Sequence, residues 1–145
     1  MKRLLLVEPD AKVGQSLRLT CDRIARATVC HDFLSARSQL LAAAPDLLVT
    51  NLRLGEYNGL HLVLLASSDR ARTRSIIYSD RPDAFLIREA QALGAFFERA
   101  DRLPYSLVGY LRFALPERDR RDSPQYDRRA AFRGGRRCAD VAISG

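Results

Sequence analysis

Five short apolar runs punctuate the chain, and each is followed by a stretch whose apolar residues recur every three or four positions. Arg3 to Val7, Ala27 to Cys30, Asp46 to Thr50, Ser75 to Ser79 and Ala95 to Glu98 read as strands. Continuous runs of this length suit strands buried on both faces. Between them, Val13, Leu17, Cys21 and Ile24 are placed on one face of a first helix, and Phe33, Leu34, Leu40 and Leu41 sit in a second. Further helices are expected from Leu60 through Leu65, from Pro82 through Leu93, and from Pro104 through Leu115. The punctuation agrees. Asp10 is placed to cap the first helix, and the second must end before Pro45. Pro82 and Pro104 suit a first helical turn, and Gly94 suits a helix end. Residues 51–58 read as a loop leading to Gly59.

Five strand–helix units in alternation call for a parallel sheet covered by helices on both faces. Five strands with short helices match the flavodoxin-like, doubly wound α/β class, with strand order 2-1-3-4-5. In that order a crevice opens at the carboxyl ends of strands 1, 3 and 4. Glu8, Pro9, Asp10, Thr50, Asn51, Ser79 and Asp80 fall there. His31 and His61, the two histidines, are expected away from it. No glycine-rich phosphate loop follows strand 1, which argues against a nucleotide enzyme.

The composition narrows the classes. A length of 145 residues with 47% hydrophobic content suits one domain with its own core. No apolar run approaches the ~20 residues that cross a bilayer. The run after Met1-Lys2-Arg3 is too short for a signal peptide and is broken by Glu8 and Asp10. A cytoplasmic protein without membrane association is expected. Cys21, Cys30 and Cys138 form neither a CxxC pair nor a zinc pattern, so structural roles are expected. The net charge is +7, and all but two of the basic residues are arginine. The body to residue 115 carries 16 basic and 12 acidic residues, and the remainder carries eight arginines against five acids. Periodicity stops after Pro116. The expected division is therefore a domain over 1–116 and an Arg-rich flexible tail over 117–145.

Around strand 3 the chain reads Pro45-Asp46-Leu47-Leu48-Val49-Thr50-Asn51-Leu52-Arg53-Leu54, then Asn58-Gly59-Leu60. This closely resembles the receiver domains of two-component response regulators, over residues 3 to 115. The resemblance implies a site with four parts. An aspartate ending strand 3 takes a phosphoryl group, and two acids after strand 1 help to hold magnesium. A hydroxyl ends strand 4, and a lysine ends strand 5. Here Asn51 stands at the phosphoacceptor position, and a neutral amide oxygen cannot form the acyl phosphate. Glu8 and Pro9 stand at the acidic pair, and a proline side chain has no donor atom for a metal. Asp10, one residue later, can reach the crevice or cap the helix, with capping the stronger preference. Ser79 matches the hydroxyl, and Arg99 stands for the lysine, keeping its charge but not its shape. A single inactivating exchange would have left the acidic pair intact. Together the changes describe a degenerate receiver, or pseudo-receiver, with magnesium binding weak or lost, no cofactor and no catalytic residue.

Such a domain is expected to act in signal transduction by binding a protein partner, such as a histidine kinase, another regulator or a second copy of itself. The resemblance implies a partner face built by the fourth helix, fifth strand and fifth helix. It would hold Arg88, Gln91, Phe96, Arg99, Arg102, Tyr105 and Arg112, with Phe97 nearest to the family's aromatic switch. With no recognisable output domain after residue 116, a stand-alone receiver or one acting in trans is expected. A second expectation concerns the tail. Arg128, Arg129, Arg133, Arg136 and Arg137, with Tyr126 and Phe132 among them, suit either a solvated segment or an arm that binds nucleic acid through phosphate contacts and stacking.

Overall fold

A computed structural model describes residues 1–68 and 72–113. The predicted boundary at residue 116 and the tail arginines Arg128, Arg129, Arg133, Arg136 and Arg137 lie outside the described residues. Among the described residues, seven strands and five helices follow in the order β1 (Lys2–Val7), α1 (Ala11–Cys21), β2 (Ala25–Cys30), α2 (Phe33–Ala42), β3 (Leu47–Asn51), β4 (Arg53–Leu54), β5 (Tyr57–Asn58), α3 (Leu60–Ala66), β6 (Arg74–Ser79), α4 (Ala84–Ala92), β7 (Phe96–Arg99) and α5 (Leu103–Arg112). The main sheet is five-stranded and parallel in the order β2-β1-β3-β6-β7. This is the flavodoxin-like order predicted from the alternation of elements. β4 and β5 form a separate antiparallel hairpin within the predicted 51–58 loop.

The strand alternation divides the core in two. Leu4, Leu6, Leu47, Val49, Ile76 and Tyr78 face α1 and α5, where Leu17, Cys21, Leu103, Leu107 and Leu111 meet them. Leu5, Val7 and Leu48 face the other way, toward Phe33, Ala36, Leu40 and Leu62 of α2 and α3. Ile77 joins Leu52, Val63 and Ala90 in a third cluster under α3 and α4. Burial on both faces explains why the central strands read as unbroken apolar runs. The thiols of Cys21 and Cys30 are free and lie in this core, and burial pushes both up from the usual thiol range.

Aspartates open three of the helices. Asp10 accepts from the N–H groups of Lys12 and Val13, Asp32 from Ser35 and Asp83 from Leu86. The third of these corrects an expectation, since α4 starts at Ala84 with Asp83 as its cap rather than with Pro82 in its first turn. Pro104 does occupy the first turn of α5. Gly94 ends the α4 segment with φ at 89°, which a side chain would disfavour. No helix among the described residues is long and apolar enough to cross a membrane.

Candidate functional site

Parallel strands deliver their carboxyl ends to one edge of the sheet, and the predicted crevice residues arrive there together. Glu8 directly follows β1, Asn51 ends β3, and Tyr78 lies opposite Asn51 in the β3–β6 register. Glu8 is buried. Its Oε1 accepts from the Asn51 side-chain amide at 3.0 Å and from the Tyr78 hydroxyl at 2.8 Å. Its Oε2 accepts from the Asp10 backbone N–H at 2.8 Å. One carboxylate thus ties β1, β3 and β6 together. Burial, and then the charge of Glu8, push the Tyr78 hydroxyl well above the ordinary tyrosine range, so it remains a donor.

The other oxygens around this network are also engaged. Asn51 Oδ1 accepts from the Arg53 N–H at 3.0 Å, which starts the hairpin. Asp10 Oδ1 accepts from Lys12 and Val13 as the α1 cap. Pro9 is exposed and brings no ligand atom. Magnesium takes near-octahedral oxygen coordination. As placed, Glu8, Asn51 and Asp10 each spend oxygens on protein donors. Among the described residues, no three His, Cys, Asp or Glu side chains form a metal-ligand group.

The loop that carries Asn51 is closed by a glycine. A Cβ at Gly59 would stand 2.4 Å from the Asn51 carbonyl oxygen and 3.0 Å from the Thr50 side chain. Its N–H donates to the Leu52 carbonyl at 2.8 Å, and Asn58 Oδ1 accepts from the Leu60 N–H. Glycine at position 59 is therefore a packing requirement, while Asn58 acts through its hydrogen bond. The hairpin turns at Gly55, whose φ is 67°. Tyr57 then stacks on Phe33 with ring centroids 4.4 Å apart, while His61 meets the edge of the same ring.

Ser79 and Arg99 sit on neighbouring strands in register, yet each turns to a nearby partner. The buried Ser79 hydroxyl donates to the Arg81 carbonyl and accepts from the Arg81 N–H, both at 2.9 Å. The Arg99 guanidinium pairs with Asp101 through two hydrogen bonds of 2.9 and 3.1 Å, largely exposed. A cleft of about 450 Å³ opens above the network, bounded by Glu8, Asp10, Lys12, Asn51, Tyr78 and Asp80 together with the starts of α1 and α5. A second, of about 510 Å³, lies at the opposite edge beside Ser67, Thr73 and Gly94 and holds none of the predicted site residues.

Solved structures with this architecture place it. The response regulator domain of Thermotoga maritima CheB is 21% identical with a TM-score of 0.66, over 77% of this chain and 94% of that one. A two-component response regulator of the LuxR family from Aurantimonas is 20% identical with a TM-score of 0.65, over 75% and 81%. The Mn2+-bound form of response regulator Rcp1 is 14% identical with a TM-score of 0.69, over 80% and 99%. The chain has the receiver fold. No protein-family model and no curated protein matches the sequence.

On this receiver frame, two expectations need correction. His31 is not remote from the crevice, because its Nδ1 lies 2.9 Å from the Glu8 carbonyl oxygen. Phe96 does not belong to an exposed face. It is buried and meets Tyr110 edge-on. Arg88, Arg102, Tyr105 and Arg112 of the predicted face are exposed, and Gln91 and Phe97 are half-buried. The exposed rings of Phe85 and Phe113 were not anticipated. Nor was Tyr78. A tyrosine within an apolar central strand needs a hydroxyl partner, and Glu8, also at the crevice edge, was the available acceptor.

Proposed function

We propose that this chain is a signalling module of the receiver type that takes up no phosphoryl group, holds magnesium weakly or not at all, and acts by binding a protein partner. The observation that carries this reading is the state of Asn51. Its amide nitrogen donates to Glu8 and its oxygen accepts from Arg53. The side chain at the phosphoacceptor position is thus a neutral structural link with no nucleophilic oxygen. Ser79 and Arg99, the groups that would meet a phosphoryl group, are bonded to Arg81 and Asp101 instead. The exposed Arg88, Arg102, Tyr105 and Arg112 supply a basic, aromatic-bearing surface suited to an acidic protein face. A histidine kinase, another regulator or a second copy of the chain are the partner classes.

The test is incubation with acetyl phosphate, and separately with a phosphorylated histidine kinase, with magnesium present. The expected result is no mass gain and no label on the intact protein. A phosphorylated species that maps to the crevice would overturn the reading.

A further inference from the structure

Among the described residues, Glu8 is the carboxylate on which the Tyr78 hydroxyl and the Asn51 amide converge. A carboxylate offers about four lone-pair positions, and protein donors take three of those of Glu8. Two of them converge on Oε1, the Tyr78 hydroxyl at 2.8 Å and the Asn51 amide at 3.0 Å. The Tyr78 hydroxyl also lies 3.4 Å from the Val7 carbonyl oxygen, so it sits among oxygens from the end of β1. A hard cation seeks this kind of oxygen-lined position. A phenol O–H and an amide N–H fill it here with neutral donors.

We propose that the Tyr78 hydroxyl, with the Asn51 amide, stands in the place of a divalent cation, so that aspartate at position 51 alone does not create a cation site. This rests on the reading of the crevice as a non-phosphorylated receiver site and names the residue that keeps it so. The ring of Tyr78 is 1% exposed and packs in the core with Leu4, Leu6, Leu17, Leu103 and Leu107. It therefore has no alternative place to go when an ion approaches. The hydroxyl is held by the packing of the ring, and the ring is held by α1 and α5. An ion entering beside Glu8 must displace a donor whose position is fixed from behind.

Four proteins test this: the unmodified chain, Asn51→Asp, Tyr78→Phe and the double variant Asn51→Asp/Tyr78→Phe. Phenylalanine keeps the ring and removes only the hydroxyl. Mn2+ serves as the probe, followed by water-proton relaxation and by calorimetry. The double variant is expected to bind Mn2+ at least about tenfold more tightly than Asn51→Asp, the factor that losing one competing charge-assisted hydrogen bond gives. Equal binding by these two variants, or no binding by either, would overturn the proposal while leaving the reading of the native site intact. Phosphoryl uptake by the unmodified chain would instead overturn that reading. Should the double variant not fold, the unmodified chain still decides. The Tyr78 hydroxyl proton is expected as a slowly exchanging NMR signal that millimolar magnesium does not move. Its loss or displacement by magnesium would refute the inference.

Discussion

The two halves of the crevice are held in different ways. On one side, Glu8, Asn51 and Tyr78 bond across 43 and 70 residues of sequence and lock three strands at their ends. On the other, Ser79 and Arg99 bond to groups two residues away. A long-range bond in a buried site is supported by the packing of every element it joins, and its loss leaves desolvated partners. The Arg99–Asp101 pair is exposed, and water replaces such a bond at little cost, whereas Ser79 is buried and its bonds stay within one short turn. The first half is therefore part of the fold, while in the second the Arg99 side chain is free to rearrange.

The sharpest way to break this contrast is Glu8→Ala. It strands the Tyr78 hydroxyl and leaves two further donors without their acceptor. A loss of about 3 kcal/mol is expected in urea unfolding followed by circular dichroism. Gly59→Ala attacks the same half through space, because the new Cβ meets the Asn51 carbonyl. About 2 kcal/mol is expected, within the range for overpacking a tight site.

Tyr78→Phe follows at about 1.5 kcal/mol, for one hydrogen bond to a charged acceptor. It carries a pH signature as well. The folded hydroxyl is raised above its ordinary value of about 10. The unfolded chain therefore loses this proton first, and stability falls as pH rises above that value. Tyr78→Phe should flatten that alkaline decline in unfolding curves measured between pH 9 and 11. A decline of unchanged steepness would remove Tyr78 from the network.

At the other end of the scale stands Arg99→Ala. It removes an exposed pair with Asp101 and should change stability by less than about 0.5 kcal/mol. A large loss there would erase the distinction between the halves.

The contrast also explains what could be seen in the sequence. Five apolar runs and their helical partners yielded the strand order, because double-sided burial writes itself as unbroken hydrophobic stretches. Asn58-Gly59 was legible as a motif, although the reason for its glycine, a backbone approach that excludes any side chain, arises only in the folded chain. Asp10 was legible as a cap for the same local reason that Ser/Asp caps are generally legible. Tyr78 and His31 were not. Both act across strands, and their partner Glu8 is distant from each in sequence. Only the combination of strand order with an unpaired tyrosine hydroxyl would have pointed to the link. The hairpin at Gly55 was missed because two-residue strands carry no periodicity.

The link between Tyr78 and Glu8 also has an optical consequence. The chain contains five tyrosines and no tryptophan. A phenol bonded to a carboxylate in its ground state emits weakly, because the excited ring passes its proton to that acceptor. Native Tyr78, and Tyr110 on Glu98 likewise, should therefore be dark, and their emission should appear as the sheet comes apart. The residue that closes the crevice would then serve as a built-in lamp for the integrity of the domain, free of any attached dye.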